Sequence, residues 1–280
     1  MATITAADIK ALREQTGAGM LDVKNALVEA EGDRSKAIEI LRVKGLKGVT
    51  KREGRSASNG LVAAHVDGGV GILVEVNCET DFVAKGDKCS ELAQQVLDRA
   101  VATGATDAET LLASETDGRS LQTVLDQANV AIGEKIEVRR VARVSGEHVA
   151  SYLHRTSPDL PPQIGVLIAI DRAADSDAGV DIAKDVAMHT AAMSPSFLTR
   201  EEVPGEVVEN ERRIAEDTAR EEGKPEQAMS KIVEGRVNSF FKENVLLEQP
   251  FSKEPKKSVT QVLKDAGTNV VAFARFRVGA

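Results

Sequence analysis

The hydrophobic positions near the start of the chain recur at helical spacing in three short segments between residues 5 and 47. Thr5 and Asp8 resemble a capping box at the first of these helices. A basic, glycine-rich stretch at 44–60 follows and indicates a flexible linker. We therefore predict a small three-helix headpiece with its linker over residues 1–54. The apolar faces of the three predicted helices comprise Ile9 and Leu12, then Met20, Val23 and Leu27, then Ala37, Ile38 and Leu41.

Beyond the linker the hydrophobic pattern occurs twice. In each copy, two strands rich in β-branched residues are followed by helical segments and then by a basic, alternating strand. The order strand, strand, helix, helix, strand predicts a three-stranded antiparallel sheet with helices on one side, which is an α+β fold. We assign the two repeats to residues 55–146 and 147–280. The matching strands are 62–66, 71–76 and 135–144 in the first repeat, and 149–153, 165–170 and 269–278 in the second.

The second repeat carries an insertion of roughly 50 residues, at about 196–245, where the first has a short connection. Its first half, Glu201 to Glu222, is highly charged and stops at Gly223-Lys224-Pro225. Its second half has apolar residues at helical spacing. We predict a helical hairpin, whose apolar stripe is covered by the paired helix, by a second copy of the chain or by a partner.

The composition favours a soluble protein that binds another protein. The chain has 280 residues, a hydrophobic fraction of 42% and a formal net charge of -8. This acidic balance argues against wholesale nucleic-acid binding, which requires Lys and Arg to neutralise phosphates. No apolar run reaches the ~18 residues that a membrane span needs. The N-terminus lacks the pattern of a signal peptide, so we expect a cytoplasmic protein.

The sequence contains no enzyme signature. It has no G-x-x-x-x-G-K-[ST] loop, no G-x-G-x-x-G, no H-E-x-x-H and no G-x-S-x-G. Cys78 and Cys89 form no Cys-x-x-Cys pair and are interpreted as reduced thiols. We therefore predict that the protein is not an enzyme and uses no cofactor and no bound metal. The histidines also lack metal-ligand spacing; they are His65, His148, His154 and His189.

One short segment, residues 77–85, follows directly after an apolar strand. It contains Phe82, the only phenylalanine among the first 196 residues. Turn-like residues at Thr80 and Asp81 place Phe82 at the end of a strand, where a side chain can project. Two interpretations stay open at this point: Phe82 packs under the next helix, as most phenylalanines do, or it fills a pocket on a partner.

Several segments, taken together, cover nearly the whole chain and resemble one known family. Thr80-Asp81-Phe82-Val83 looks like the signature of the elongation factor Ts family, and four other segments match its motifs in order. The resemblance implies a ubiquitin-associated-like headpiece, a duplicated α+β core, and a hairpin used for homodimerisation in some members. The other matching segments are 16–27, 187–189, 233–236 and 246–251.

The resemblance also implies an activity. The family is a guanine-nucleotide exchange factor for elongation factor Tu, which it binds in the GDP-bound and nucleotide-free states. The signature residues Thr80, Asp81, Phe82 and Val83 are expected to bind the GTPase. The tip formed by Asp81 and Phe82 is expected to push in beside its nucleotide, dislodge Mg²⁺ and release GDP during translation elongation. A non-catalytic adaptor, or a chaperone-like binder of elongation factor Tu, is the alternative.

Further partner contacts follow from the resemblance by position. They are Lys24 and Met20 on the headpiece, Ile132 and Gly133 before the last strand of the first repeat, and His148 at the start of the second. For each of them a purely structural role is the alternative. Departures from the family pattern include Ser252-Lys253 in place of an apolar pair, and a longer, proline-rich turn at 155–163.

Overall fold

The computed structural model describes residues 4–16, 18–52, 54–171 and 177–280. Helices and small antiparallel sheets make up the fold, which confirms the predicted α+β class. The helices are α1 Ala6–Thr16, α2 Met20–Glu29, α3 Arg34–Arg52, α4 Asp81–Ala84, α5 Asp87–Thr103, α6 Ala108–Ala113, α7 Leu121–Ile132, α8 Asp177–Met193, α9 Gly205–Glu221, α10 Glu226–Asn244 and α11 Val259–Asp265. The strands are β1 Asn59–Asp67, β2 Val70–Cys78, β3 Glu115–Thr116, β4 Arg119–Ser120, β5 Ile136–Ser145, β6 His148–His154, β7 Ile164–Ile170, β8 Pro250–Phe251, β9 Glu254–Ser258 and β10 Val270–Arg277.

Three helices, α1 to α3, pack around a small core of their own. Thr5 and Asp8 exchange hydrogen bonds at the start of α1, as the sequence predicts. Met20 departs from the prediction, because it is 59% exposed while Val23 and Leu27 are buried. It is the first residue of α2, and the buried face of that helix begins only at Val23. The interpretation of Met20 as a core residue is therefore wrong.

The predicted flexible linker is partly wrong as well, since α3 continues through Gly45 to Arg52. Glycine disfavours helix, but here the helix is supported by docking on α7. A methyl group placed at Gly45 would lie 2.8 Å from the Val130 side chain, so the two helices approach closely. The Arg52 guanidinium donates a hydrogen bond of 3.0 Å to the carbonyl of Asn129. The headpiece is thus held against the first repeat by direct contacts.

The two repeats have matching sheets. The first sheet has the order β1-β2-β5 and the second β6-β7-β10, and all neighbours are antiparallel. Helices α5 and α7 pack on the first sheet, and α8 and α11 on the second. The corresponding helices also begin in the same way, since Ser120 caps α7 and Ser258 caps α11. The structure therefore has the predicted element order in each repeat, while the domain boundaries stay predictions.

The two sheets pack face to face, with the helices on the outer sides. Leu73 and Leu167 lie in the core between the sheets and are fully buried. Gly71 and Gly165 hold equivalent places in β2 and β7. A methyl group at Gly71 would lie 2.7 Å from Val149, and one at Gly165 would lie 2.5 Å from Leu73. These glycines permit the close approach of the two sheets.

The predicted insertion forms the antiparallel pair α9 and α10. Their facing side chains form a core that includes Ala215, Val233 and Phe241. The two helices therefore cover each other's apolar stripe, and homodimerisation through this hairpin stays a prediction. Among the described residues of the two helices, Ile214 is the one large apolar side chain that stays markedly exposed, at 45%.

Candidate partner-binding site

The turn after β2 projects from one end of the first sheet. Strand β2 ends at Cys78, and Thr80 begins the one-turn helix α4. The Thr80 hydroxyl accepts a hydrogen bond of 3.3 Å from the backbone N–H of Val83, which is an N-cap. We call residues 79–85 the exchange turn, after the role that the resemblance predicts for them. Its backbone is fixed by a local cap, so its side chains have defined directions.

Those directions separate an exposed tip from a buried base. Phe82 is 82% exposed, the largest exposed fraction among the large apolar side chains of the described residues. Val83 is half-buried against the core of the first repeat, and Ala84 is buried. The interpretation that Phe82 packs under the next helix is therefore wrong. An aromatic ring held in water on an ordered turn is a feature of interaction sites.

Asp81 and Lys85 form an ion pair beside Phe82, with 2.9 Å between carboxylate oxygen and ammonium nitrogen. The hydrogen bond from Lys85 lowers the pKa of Asp81, and the same bond raises the pKa of Lys85. Both groups are therefore charged near neutral pH. The pair is exposed and spaced as i,i+4 along the turn, so it contributes little stability.

Acidic side chains hold the base of the exchange turn to the start of β5. The Glu134 carboxylate accepts hydrogen bonds from the backbone N–H of Thr80 at 3.0 Å and from its hydroxyl at 2.7 Å. Glu79 accepts a 2.7 Å hydrogen bond from the backbone N–H of Lys135 and forms an ion pair with Arg55 at 3.2 Å. The Lys135 hydrogen bond is the first cause that lowers the pKa of Glu79. We call Glu79, Thr80, Glu134 and Lys135 the turn clasp.

The structure brings Ile132 and Gly133 next to this clasp. Helix α7 ends at Ile132, and Gly133 caps it in the left-handed region at φ 88°. Gly133 directly precedes Glu134, so these two predicted contact residues lie beside Thr80. The positive φ explains the glycine here, because other residues are strained in this conformation.

The other predicted contact residues lie elsewhere. His148 begins β6, next to the turn between β1 and β2, since Val149 donates a hydrogen bond to Gly68. That turn is at the opposite end of β2 from Phe82. The nine residues of β2 separate them by roughly 27 Å at about 3.3 Å per residue. Met20 and Lys24 lie on the exposed side of α2, in the headpiece.

Comparison with known proteins decides the family. A family model described as "Elongation factor TS" matches residues 79–280. The chain is similar to three proteins named "Elongation factor Ts": 68% identical over 280 residues to that of Kineococcus radiotolerans, 64% over 279 to that of Micrococcus luteus, and 61% over 279 to that of Paenarthrobacter aurescens. Each alignment covers 100% of both chains. The chain belongs to the elongation factor Ts family. Membership in this family implies a nucleotide-exchange role on elongation factor Tu in translation elongation.

Of the turn clasp, the resemblance in the sequence pointed to Thr80 but not to Glu79, Glu134 or Lys135. Glu134 is 54 positions from Thr80, and Glu79 is 56 positions from Lys135, so no local sequence pattern joins them. One signal was present: Glu134 directly follows Gly133, at the point where α7 gives way to a basic strand. An acidic residue at that junction is out of keeping with the basic residues that follow it.

Two cysteines lie close to the exchange turn in the sequence. Cys78 and Cys89 are both buried as free thiols. Hydrogen bonding to Cys89 and burial raise the pKa of the Cys78 thiol, which keeps it protonated and unreactive. Within the described residues, no group of His, Cys, Asp or Glu side chains is arranged to hold a metal ion. No helix in the same residues is long and apolar enough to cross a membrane.

Proposed function

We propose that the exchange turn opens the nucleotide site of elongation factor Tu by inserting Phe82 beside the bound GDP. The insertion displaces the partner's segment that positions Mg²⁺, so the ion and then GDP leave. Mg²⁺ links phosphate charge to the GTPase, and its loss weakens nucleotide binding. The ion belongs to the partner throughout, and this chain supplies no ligand to it.

The exposure of Phe82 carries this proposal. The ring is 82% exposed in the free protein, so docking in a partner pocket removes its apolar surface from water. Full burial of such a side chain contributes about 1.5–3 kcal/mol. Aromatic residues of this kind are frequent binding hot spots. The N-cap and the clasp fix the backbone of the turn before binding, so less conformational entropy remains to be lost.

The proposed action is an equilibrium coupling and involves no covalent step, so the chain acts as an exchange factor and not as an enzyme. It binds the nucleotide-free form of elongation factor Tu best. By linkage, the factor by which it weakens GDP binding equals the factor by which GDP weakens its own binding. It needs no cofactor of its own, and it acts where translation takes place, in the cytoplasm.

The headpiece supplies a second contact in this proposal. Met20, Leu21 and Val28 are 59%, 68% and 58% exposed on α2, and Lys24 is exposed among them. An apolar face around a single lysine suits a protein partner that offers an apolar surface with a carboxylate. Ile132, Gly133 and His148 extend the proposed contact over the first repeat and the start of the second.

Stopped-flow release of fluorescent GDP from the cognate elongation factor Tu tests the function. Addition of this chain is expected to accelerate release in a saturable way. The acceleration should shrink when Mg²⁺ is chelated beforehand, because the ion that the turn displaces is already absent. Stable binding to elongation factor Tu without faster release would refute the proposal and favour the adaptor.

A further inference from the structure

Both hydrogen-bond donors of Thr80 end on one carboxylate. Its backbone N–H lies 3.0 Å from Oε2 of Glu134, and its hydroxyl oxygen lies 2.7 Å from Oε1. Hydrogen bonds to a charged acceptor are stronger than those between neutral groups. The two bonds join positions 54 residues apart in sequence. They connect the loop before β5 to the exchange turn.

The second of these bonds orients the N-cap of α4. Because the Thr80 hydroxyl donates its proton to Glu134, its lone pairs are free to face the other way. One of them accepts the 3.3 Å hydrogen bond from the backbone N–H of Val83. Removal of the carboxylate frees the hydroxyl to rotate, and the cap that sets the direction of Phe82 is lost.

Glu134 is itself held by its neighbours in the chain. Gly133, before it, donates its backbone N–H to the carbonyl of Asn129 at 3.0 Å. Lys135, after it, donates its backbone N–H to Glu79. Among the described residues, no Lys, Arg or His lies within ion-pair distance of Glu134. Among the described residues, Thr80 is therefore the residue that its carboxylate binds.

The second repeat has a counterpart of one bond of the clasp. Asp171 follows β7 as Glu79 follows β2, and it accepts a 2.9 Å hydrogen bond from the backbone N–H of Asn269, just before β10. The bond from Lys135 to Glu79 thus has a counterpart. The residue in the place of Glu134 is Thr268, which has no carboxylate. Of these two equivalent positions, the carboxylate stands in the repeat that carries Phe82.

We propose that Glu134 is the positioning residue of the exchange turn: its carboxylate fixes Thr80 and thereby the direction in which Phe82 projects. The inference rests on the proposed role of Phe82. It assigns to Glu134 an effect on the exchange step, and a smaller effect on partner capture or on stability.

Amide hydrogen exchange of the free, full-length protein tests the positioning directly. The reporting amides are those of Val83, Ala84 and Lys85, which are bonded within the turn. Glu134→Ala should accelerate their exchange about tenfold, through the loss of hydrogen bonds to a charged acceptor. Glu134→Gln retains one acceptor oxygen for the hydroxyl and should recover part of the protection. Asp171→Ala, the matched control, should leave these amides unchanged.

GDP release from elongation factor Tu by the same proteins tests the consequence. Glu134→Ala should lower the maximal release rate about tenfold and change the half-saturating concentration less, while Asp171→Ala should lower the melting temperature without this loss. Unchanged protection of the turn amides in Glu134→Ala overturns the inference. So does a normal maximal rate in Glu134→Ala when Phe82→Ala is impaired. If Phe82→Ala also releases GDP normally while the turn amides lose protection, the positioning stands and the proposed function fails.

Discussion

The two repeats share a sheet order, a capped helix and a facing glycine, yet the ends of their central strands differ. In the first repeat β2 leads into a turn whose aromatic tip lies in water. In the second, β7 leads to Asp171, which accepts hydrogen bonds from the backbone N–H and the side-chain amide of Asn269. The comparison teaches that the shared topology provides the same junction twice. The proposed partner-binding function uses the side chains at one of the two junctions, the one that carries Phe82.

Phe82→Ala, in the first repeat, should slow GDP release far more than any substitution in the second repeat. Truncation of an aromatic hot spot costs about 2–4 kcal/mol. That corresponds to roughly 30- to 1000-fold slower GDP release, at about 1.4 kcal/mol per tenfold. The loss should be strong with Mg²⁺ and smaller after chelation, and Asp81→Ala should resemble it more weakly. Stopped-flow release and thermal melting on the same preparations measure both quantities.

The control for this prediction lies in the second repeat. Val271 on β10 is 46% exposed, and Val271→Ala should leave release unchanged. Val83→Ala should instead lower the melting temperature, because Val83 packs on the core. A Phe82→Ala protein that melts early but releases GDP normally while folded would contradict the role of the ring.

Substitution of the equivalent glycines, Gly71 and Gly165, should destabilise the protein to a similar extent. Gly71→Ala and Gly165→Ala each place a methyl group within 2.7 Å of buried side chains between the sheets. Overpacking of this kind costs about 1–3 kcal/mol. Chemical denaturation should show similar losses for the two variants, since they act on one interface.

Gly235→Ala on α10 is the matched control, because nothing lies within 4 Å of the added methyl group. It should stabilise the protein by roughly 0.5–1 kcal/mol through its better helix propensity. If Gly165→Ala were as stable as the parent, the close sheet contact would be refuted.

A weaker difference is expected in the pH dependence of stability, and it belongs to the second repeat. His189 on α8 is buried; its Nε2 donates to Gln249 at 2.9 Å and its Nδ1 accepts from the backbone N–H of Ser252 at 3.1 Å. Burial lowers the pKa of His189 below its ordinary 6.5. The unfolded chain therefore binds the proton more readily. The stability that neutral His189 contributes is fully present above pH 6.5. It is lost as the pH falls toward the folded-state pKa of His189.

Thermal melting at about pH 7.5 and about pH 5.5 measures this effect. His189→Gln, which cannot titrate, should be less stable than the parent at the higher pH and should lose less on acidification. Helix α5, the counterpart in the first repeat, contains no histidine. An equal acid response of parent and variant would show that His189 does not contribute to it.

The hairpin should have the smallest effect, although it is the largest difference between the repeats. Replacement of residues 211–234 by a short Gly/Ser linker keeps the base of α9 and α10, where Val208 and Phe241 pack. GDP release at saturation should be unchanged, and sedimentation should report any change in oligomeric state. A loss of release in a folded variant would place part of the exchange function in the hairpin.

The sequence alone predicted the repeated strands well, because alternation and β-branched residues mark a half-buried strand locally. It failed where distant contacts decide. Helix α3 continues through Gly45, where the missing side chain lets it approach Val130 of α7 closely. Glu134 gains its meaning from Thr80, 54 positions away. The exposure of Phe82 was open on local grounds, since most phenylalanines are buried, and only the resemblance favoured the partner-binding interpretation.

The docking of α3 on α7 has a consequence for how the two proposed contact surfaces, the exposed face of α2 and the exchange turn, act together. With a flexible tether, the length of the random coil would set the effective concentration of the headpiece. After one surface had bound, the other would still have to diffuse to its site on the partner. Here the contact of Arg52 with the Asn129 carbonyl sets the spacing between the exposed face of α2 and the exchange turn before any partner arrives. A partner that touches both surfaces must match that spacing. Because α3 fixes this spacing, a partner that fits at one surface but not at the other gains only one of the two contacts.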